Sequence, residues 1–285
     1  MFIDIRVSPA FYEPINGDIN TEEMRHEVLD IHKNGTAPLE HIYNQMNCAH
    51  LDKLVLQPID YSSVTGCPVV TNEEVAELVK MGEGRFIGFA SVDPMTDHAA
   101  EHLEHAFRDL GLKGLCLHPG RTKLDPSDEM MESLYEICER YGRPVVFHCG
   151  LSWEPDTLTK YTLPLVYEPV AYHHPKLRIC LTQFGWPYVK ETAMLMLKYP
   201  NIYTDTGALY ADNAMEFYTQ MMTRDIPVTW IDRSLRHQVM FGSGNPRFEQ
   251  IRMADAIGKM GFRDSTLELI RSKNALDFIG LGIGE

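Results

Sequence analysis

The chain has 285 residues, with 40 acidic against 26 basic side chains and a formal charge of -14. That balance excludes nucleic-acid binding, which needs a basic surface to displace counterions, and opposes docking on anionic membranes. Hydrophobic residues at 44% and charged residues at 23% are ordinary for a globular chain, and no apolar run approaches the ~18 residues of a membrane-spanning helix.

In chain order, short β-rich runs recur, each followed by a helical pattern. The expected strands are Phe2–Val7, Lys53–Pro58, Phe86–Val92, Lys113–His118, Pro144–His148, Leu177–Thr182, Ile202–Thr206 and Val239–Gly242. Between them fall amphipathic helices at Thr71–Met81, Asp97–Leu110, Ser127–Tyr141, Val189–Lys198 and Asn213–Arg224. Asp97–Leu110 places Ala99, Leu103, Ala106, Phe107 and Leu110 on one face, the spacing of a half-buried helix. Alternation of strand and helix implies parallel strands joined by right-handed crossovers. Eight such units nearly fill the length, so we expect a single (β/α)8 TIM-barrel domain over 1–285, closed by helices at Arg247–Met260 and Asp264–Ile279. The segment Pro9–Ala49 is long for one crossover and is expected to pass over the barrel mouth. The six cysteines show no Cys-x-x-Cys pair and read as reduced thiols. Met1–Arg6 lacks the basic and apolar regions of a signal peptide, so a cytoplasmic location is expected.

In such a barrel the chemistry sits where strands end and βα loops begin. Polar residues, Gly and Pro collect at nearly every strand end: Asp4-Ile-Arg-Val-Ser-Pro9, Ser91-Val-Asp-Pro94, Cys116-Leu-His-Pro119, His148-Cys-Gly150, Thr182-Gln-Phe-Gly185, Thr204-Asp-Thr-Gly207 and Gly242-Ser-Gly-Asn-Pro246. A ligand site at that end is therefore expected. Of the twelve histidines, His98, His102 and His105 share a helical stripe opposite the apolar face and read as solvated surface. Cys149 alternates with His148 and should point into the barrel–helix layer as a core thiol.

These strand ends resemble the amidohydrolase superfamily, in the branch of amidohydrolase-related decarboxylases and hydratases typified by aminocarboxymuconate-semialdehyde decarboxylase. The most specific stretches are Arg85-Phe-Ile-Gly-Phe-Ala-Ser-Val-Asp-Pro94, Leu112-Lys-Gly-Leu-Cys-Leu-His-Pro119 and Gly142-Arg-Pro-Val-Val-Phe-His-Cys-Gly150, with Phe241-Gly-Ser and Lys273-Asn-Ala-Leu further on. The resemblance covers almost the whole chain. It implies a barrel with a divalent ion, usually zinc, held by a His-x-His after the first strand, a His after the fifth and an Asp after the eighth. A further His after the sixth strand would act as acid/base. Such an ion lowers the pKa of its bound water towards about 7.

This sequence departs from that pattern. Arg6 and Ser8 occupy the two first-strand ligand places, Gly244 stands where the Asp belongs, and Gln183 replaces the sixth-strand His. Only His148 keeps its identity, so no metal or other cofactor is expected. A guanidinium at the ion's place can instead pair with a carboxylate or stabilise an oxyanion. The expectation is thus an amidohydrolase-related hydrolase or lyase acting on a small carboxylated substrate. Arg6, His148 and Gln183 form its expected catalytic set, and His118, Asp205, Arg121 and Arg247 its substrate-binding set. The alternative is a catalytically inactive barrel serving as a ligand-binding or assembly subunit. Each residue also has a plain structural role open to it: a hydrogen-bonded barrel histidine for His148 and His118, an ion pair with Asp4 or Asp205 for Arg6, a loop cap for Gln183 and a turn for Asp205. The resemblance implies a homodimer.

Overall fold

The computed structural model describes residues 1–154, 156–207 and 213–282. Among the described residues nine strand segments run in parallel: β1 Ile3–Val7, β2 Lys53–Leu56, β3 Phe86–Gly88, β4 Ala90–Ser91, β5 Leu115–Leu117, β6 Val145–Phe147, β7 Ile179–Leu181, β8 Ile202–Asp205 and β9 Val239–Met240. β3 and β4 are two halves of the third expected strand, parted at Phe89. The ladder continues through the break, because the Phe89 N–H donates to Leu56 O at 2.9 Å and the Ala90 N–H to Gly114 O at 2.7 Å. The break has a packing reason. A Cβ on Gly114 would lie 2.4 Å from the Phe89 ring, so the missing side chain makes room for the phenyl group in the lumen.

β9 returns to β1 and closes the barrel. The Ile5 N–H donates to Phe241 O at 2.9 Å, the Ser8 N–H to Asn245 O at 2.8 Å, and Val7 bridges Asn245 in parallel register. The molecule is therefore a closed (β/α)8 barrel. The first strand ends at Val7 as expected, and each of the others stops one or two residues short of its expected C-terminal end, because there the chain leaves the ladder to build the mouth.

The helices fall close to expectation, at Asn72–Met81, Ala99–Arg108, Glu129–Tyr141 and Val189–Lys198. Thr71 caps the first through a reciprocal box with Glu74. The stretch Asn213–Arg224 forms helix Ala214–Thr219 and a π-helical turn, Gln220–Asp225. The final run is helical from Asp264 to Ile279. Its Ala275, Leu276, Phe278 and Ile279 pack against Ile3, Ile5, Val55, Ile87, Phe89, Cys180 and Met240, sealing the bottom of the lumen. No described helix is long and apolar enough to cross a membrane.

The long first excursion carries a helix at Ile19–Leu29, N-capped by Asp18, and the crossover helix Leu39–Cys48. Arg25, 1% exposed, ties the excursion down. It donates to Val69 O at 2.8 Å and Ile15 O at 2.7 Å, and pairs with Glu74 at 2.7 Å. That brings Leu29 and Ile31 over the mouth, as expected of this segment.

Candidate functional site

A cavity of about 950 Å³, its solvent opening included, lies at the C-terminal ends of the strands. β1 delivers the central cation through a change of side-chain parity. β1 and β2 pair at Ile3–Lys53, Asp4–Leu54 and Val7–Leu56, so Ile5 and Arg6 together oppose Val55 in a bulge. Before the bulge, Ile3 and Ile5 fill the lumen while Asp4 faces the helix layer. After it, Arg6 and Ser8 line the cavity.

Asp4 is fully buried. It accepts the Ser243 hydroxyl at 2.6 Å, the Ser243 N–H at 2.9 Å, the Gln250 amide at 2.9 Å and the Arg6 N–H at 3.1 Å. Burial raises its pKa to about 6 despite those donors. The carboxyl thereby pins the bulge of β1 to the loop after β9, which holds the Arg6 backbone in place.

The Arg6 side chain remains 20% exposed. Its Nη1 donates to Gln183 Oε1 at 3.0 Å and lies 3.7 Å from Asp205 Oδ1. Gln183 is fully committed, since its Nε2 donates to Cys149 O at 3.1 Å and Leu151 O at 2.8 Å. Gln183 and Phe184 take left-handed backbone, at φ 49 and 53. This strained turn is held because the Gln183 N–H reaches Asp205 Oδ1 at 2.9 Å and the Phe184 N–H reaches Thr204 Oγ1 at 3.0 Å. Asp205, also fully buried, takes the Gly207 N–H at 2.7 Å as well. Asp205 thus sets Gln183, and Gln183 sets Arg6.

Two imidazoles face this group. His118 ends β5 and His148 ends β6, and their rings stack at 3.9 Å with an 8° tilt. The His148 Nε2–H donates to Leu151 O at 3.2 Å, because a carbonyl can only accept. His118 Nδ1 accepts the Arg121 N–H at 3.2 Å. Burial, above all, pushes the His118 pKa down to about 4. Burial, then His118 and Arg6, push that of His148 well below the usual histidine range. Both rings are neutral at pH 7. Cys149 is buried in the layer outside the barrel, and burial drives its pKa well up, as an inert core thiol requires.

Of the remaining expected residues, Arg247 lines the cavity and donates to Leu29 O, tying the first excursion to the loop after β9. Arg121 is 6% exposed and lies behind His118, with its guanidinium 5.4 Å from the centre of the Tyr61 ring. Its Nε has no hydrogen-bond partner among the described residues. The structure thus brings Arg6, His118, His148, Gln183 and Arg247 to one wall and places Asp205 and Arg121 behind it.

Sequence reasoning missed the wall residue Glu154, which stands with its partner Ser152 on the loop after β6, where no motif marks them. Ser8, visible in the sequence as the occupant of a ligand place, lines the cavity, and its buried hydroxyl has no partner among the described residues.

A closed (β/α)8 barrel with a charged cavity at its strand ends is the class these features define. The family model for amidohydrolases matches residues 54–281, and the chain belongs to that family. Among solved structures, it is similar to an uncharacterised TIM-barrel protein from Bordetella bronchiseptica, at TM-score 0.77 and 21% identity over 98% of both chains. It is similar also to 5-carboxyvanillate decarboxylase from Sphingomonas paucimobilis, at TM-score 0.68 and 13% identity over 99% of both. A third is a probable 2-pyrone-4,6-dicarboxylic acid hydrolase from Acinetobacter baumannii with citric acid bound, at TM-score 0.68 and 14% identity over 98% of this chain and 99% of that one. No curated protein sequence matches the chain.

Proposed function

We propose that the protein is a hydrolase or lyase acting on a small carboxylated substrate, without the metal that its resemblance implies. The observation that carries this reading is the Arg6 guanidinium at the cavity wall. One nitrogen is fixed by Gln183 and Asp205, while its other N–H groups have no partner among the described residues. A guanidinium held this way presents a planar fork to a carboxylate or a developing oxyanion. The likeness to a decarboxylase and to a dicarboxylic acid hydrolase agrees with such a substrate.

The residues present do not fit a divalent ion. A cation stands at the first ligand place, a hydroxyl at the second and a glycine at the position of the acid. The Nε2 of His148 donates to Leu151 O, so the ring has only its Nδ1 lone pair to give, one ligand where an ion needs several. Among the described residues, no group of three or more His, Cys, Asp or Glu side chains is arranged for a metal.

In this reading Arg6 anchors the substrate and Gln183 and Asp205 position Arg6. His148 offers its Nδ1 lone pair to the mobile proton of the substrate, and His118 and Arg247 complete the pocket. Arg121 holds His118 from behind. The test combines elemental analysis of the purified protein with a screen of small lactones and unsaturated dicarboxylates against wild type and His148→Ala. We expect no stoichiometric metal, with turnover lost in the variant. Stoichiometric zinc or manganese would sink the metal-free reading. Tight binding with no turnover would favour an inactive binding barrel.

A further inference from the structure

The loop after β6 places one carboxylate, Glu154, in the wall of a cavity whose other charged wall groups among the described residues are Arg6 and Arg247. Its Oε2 accepts the Ser152 hydroxyl, and Ser152 Oγ lies 3.4 Å from His118 Nε2. The far end sets the polarity of this chain. The Arg121 N–H occupies the lone pair of His118 Nδ1, so the neutral ring carries its proton on Nε2, directed at Ser152. The order is therefore His118 Nε2–H to Ser152 O–H to the Glu154 carboxylate, which its own backbone N–H also supports.

A carboxylate beside a carboxylate-binding cation weakens binding of an anion, so its place in the wall calls for a chemical role. The imidazoles cannot take that role alone. Both nitrogens of His118 are engaged, and His148 keeps only Nδ1, whose protonation burial and Arg6 oppose. We propose that Glu154 is an acid/base residue of this cavity, with Ser152 and His118 as the positioning residues that orient its carboxylate. The proposal rests on the hydrolase-or-lyase reading above. In lactone hydrolysis an O–H bond of water breaks, its proton passes to the Glu154 carboxylate and its oxygen bonds to the acyl carbon; the ring C–O bond then breaks and the proton passes to the leaving oxygen. In a decarboxylation the proton of a substrate O–H passes to Glu154, the C–C bond to the carboxylate breaks with release of carbon dioxide, and the proton returns to the carbon, so in either case the carboxylate is regenerated.

The groups facing Glu154 are Ser152 on its own loop, His118 after β5, Arg247 after β9 and Tyr61 after β2. Burial would raise its pKa, but His118, the Ser152 hydrogen bond and Arg247 outweigh burial and hold it below the usual glutamate range. At neutral pH the group is an ionised base.

The test measures kcat/KM against pH for wild type, Glu154→Gln and Ser152→Ala, using a lactone or unsaturated dicarboxylate that wild type turns over. In parallel, long-range 1H–15N NMR follows the His118 ring nitrogens without ligand. Glu154→Gln should lower kcat/KM by about 10²–10⁴-fold and abolish the acidic limb. Ser152→Ala should keep turnover and move that limb to higher pH, because a hydrogen bond to the ionised form is lost. The His118 midpoint should fall in Glu154→Gln, as the carboxylate that favours imidazolium is gone. A Glu154→Gln profile matching wild type overturns the acid/base role, and an unchanged His118 titration overturns the linkage. Ser152→Ala carries both readouts should the Gln variant fail to fold. If wild type turns over no probe, the hydrolase-or-lyase reading fails and takes the catalytic role with it, while the His118 titration still decides whether the three side chains are linked.

Discussion

The two ends of the barrel are made by the same strands and obey different rules. At the bottom, Ile3, Ile5, Val55, Ile87, Phe89 and Met240 meet the apolar face of the closing helix, and the lumen is filled. At the top, the same strands end in Arg6, His118 and His148, whose polar atoms are only partly matched by the protein. The switch happens within single strands. On β1 it takes one bulge, with Ile5 inside the apolar plug and the next residue, Arg6, in the cavity wall. The bottom is thus built for stability, while the top leaves hydrogen-bonding capacity for something else to satisfy.

The sharpest way to break this division is to damage one end and measure at the other. Phe89→Ala removes a fully buried ring from the plug, and should cost about 3–5 kcal/mol of unfolding free energy in a urea titration. Affinity of the folded protein for an anionic probe such as citrate should stay within about twofold of wild type, since sites with no shared partners act independently. A large loss of citrate affinity would show that the two ends are not separate.

The converse is Arg6→Ala. Hydrogen bonds to charged groups are worth about 1.5–3 kcal/mol, so citrate binding by calorimetry should weaken by roughly 10- to 150-fold. Arg6→Lys should recover only part of this, because an ammonium is a point charge without the fork. Equal affinity in wild type and Arg6→Ala would remove Arg6 as the anchor.

Much of this division was legible in the sequence, and what escaped has physical causes. Strand order, helix positions and the mouth end follow from periodicity, because burial imposes it over many residues. The closing helix was found to its last residue, Ile279, since its apolar side chains repeat down to the seal. The inward placement of Arg6, His118 and His148 followed from strand-end position. The bulge was not legible, since nothing in Ile3–Val7 distinguishes a regular strand from one that reverses parity. The pairing of Arg6 with Asp205 was one of the roles open to Arg6 in the sequence, but the place of Gln183 between them was not, because that chain of contacts joins three strand ends far apart in sequence. Glu154 escaped because loop geometry, not pattern, brings it to His118.

The stacked imidazoles give the comparison a pH signature. Free histidine titrates at 6.5, while His118 in the fold titrates at about 4 and His148 well below its ordinary value. Between those limits the unfolded chain binds protons that the folded chain refuses, so stability rises with pH across that window. Asp4 acts in the opposite sense. Its folded pKa is raised from 3.8 to about 6, so its contribution falls as pH rises through that interval. Two imidazoles outweigh one carboxyl, and thermal melts should show lower stability at pH 4.5 than at pH 6.5. His118→Phe keeps a ring on His148 and removes one titrating group, so it should flatten the slope, shrinking the difference in unfolding free energy between pH 4.5 and pH 6.5 by roughly 1–3 kcal/mol. An unchanged slope would mean that His118 is not neutral in the fold.

The smallest effect tests the idea that the top leaves capacity unused. The Ser8 hydroxyl shares the cavity with Arg6 and has no hydrogen-bond partner among the described residues. In the folded protein alone, an unsatisfied buried hydroxyl is a cost, so Ser8→Ala should be neutral or raise stability by up to about 1 kcal/mol. With a carboxylate bound, the hydroxyl becomes a donor two residues from the guanidinium, and its loss should weaken citrate binding by about 2- to 10-fold, one neutral hydrogen bond. The two signs together are the diagnostic, because stability and affinity move in opposite directions only if the group is oriented for a ligand. A variant that loses stability and leaves affinity intact would place Ser8 with the plug, and the boundary between the two ends would then lie above the bulge rather than at it.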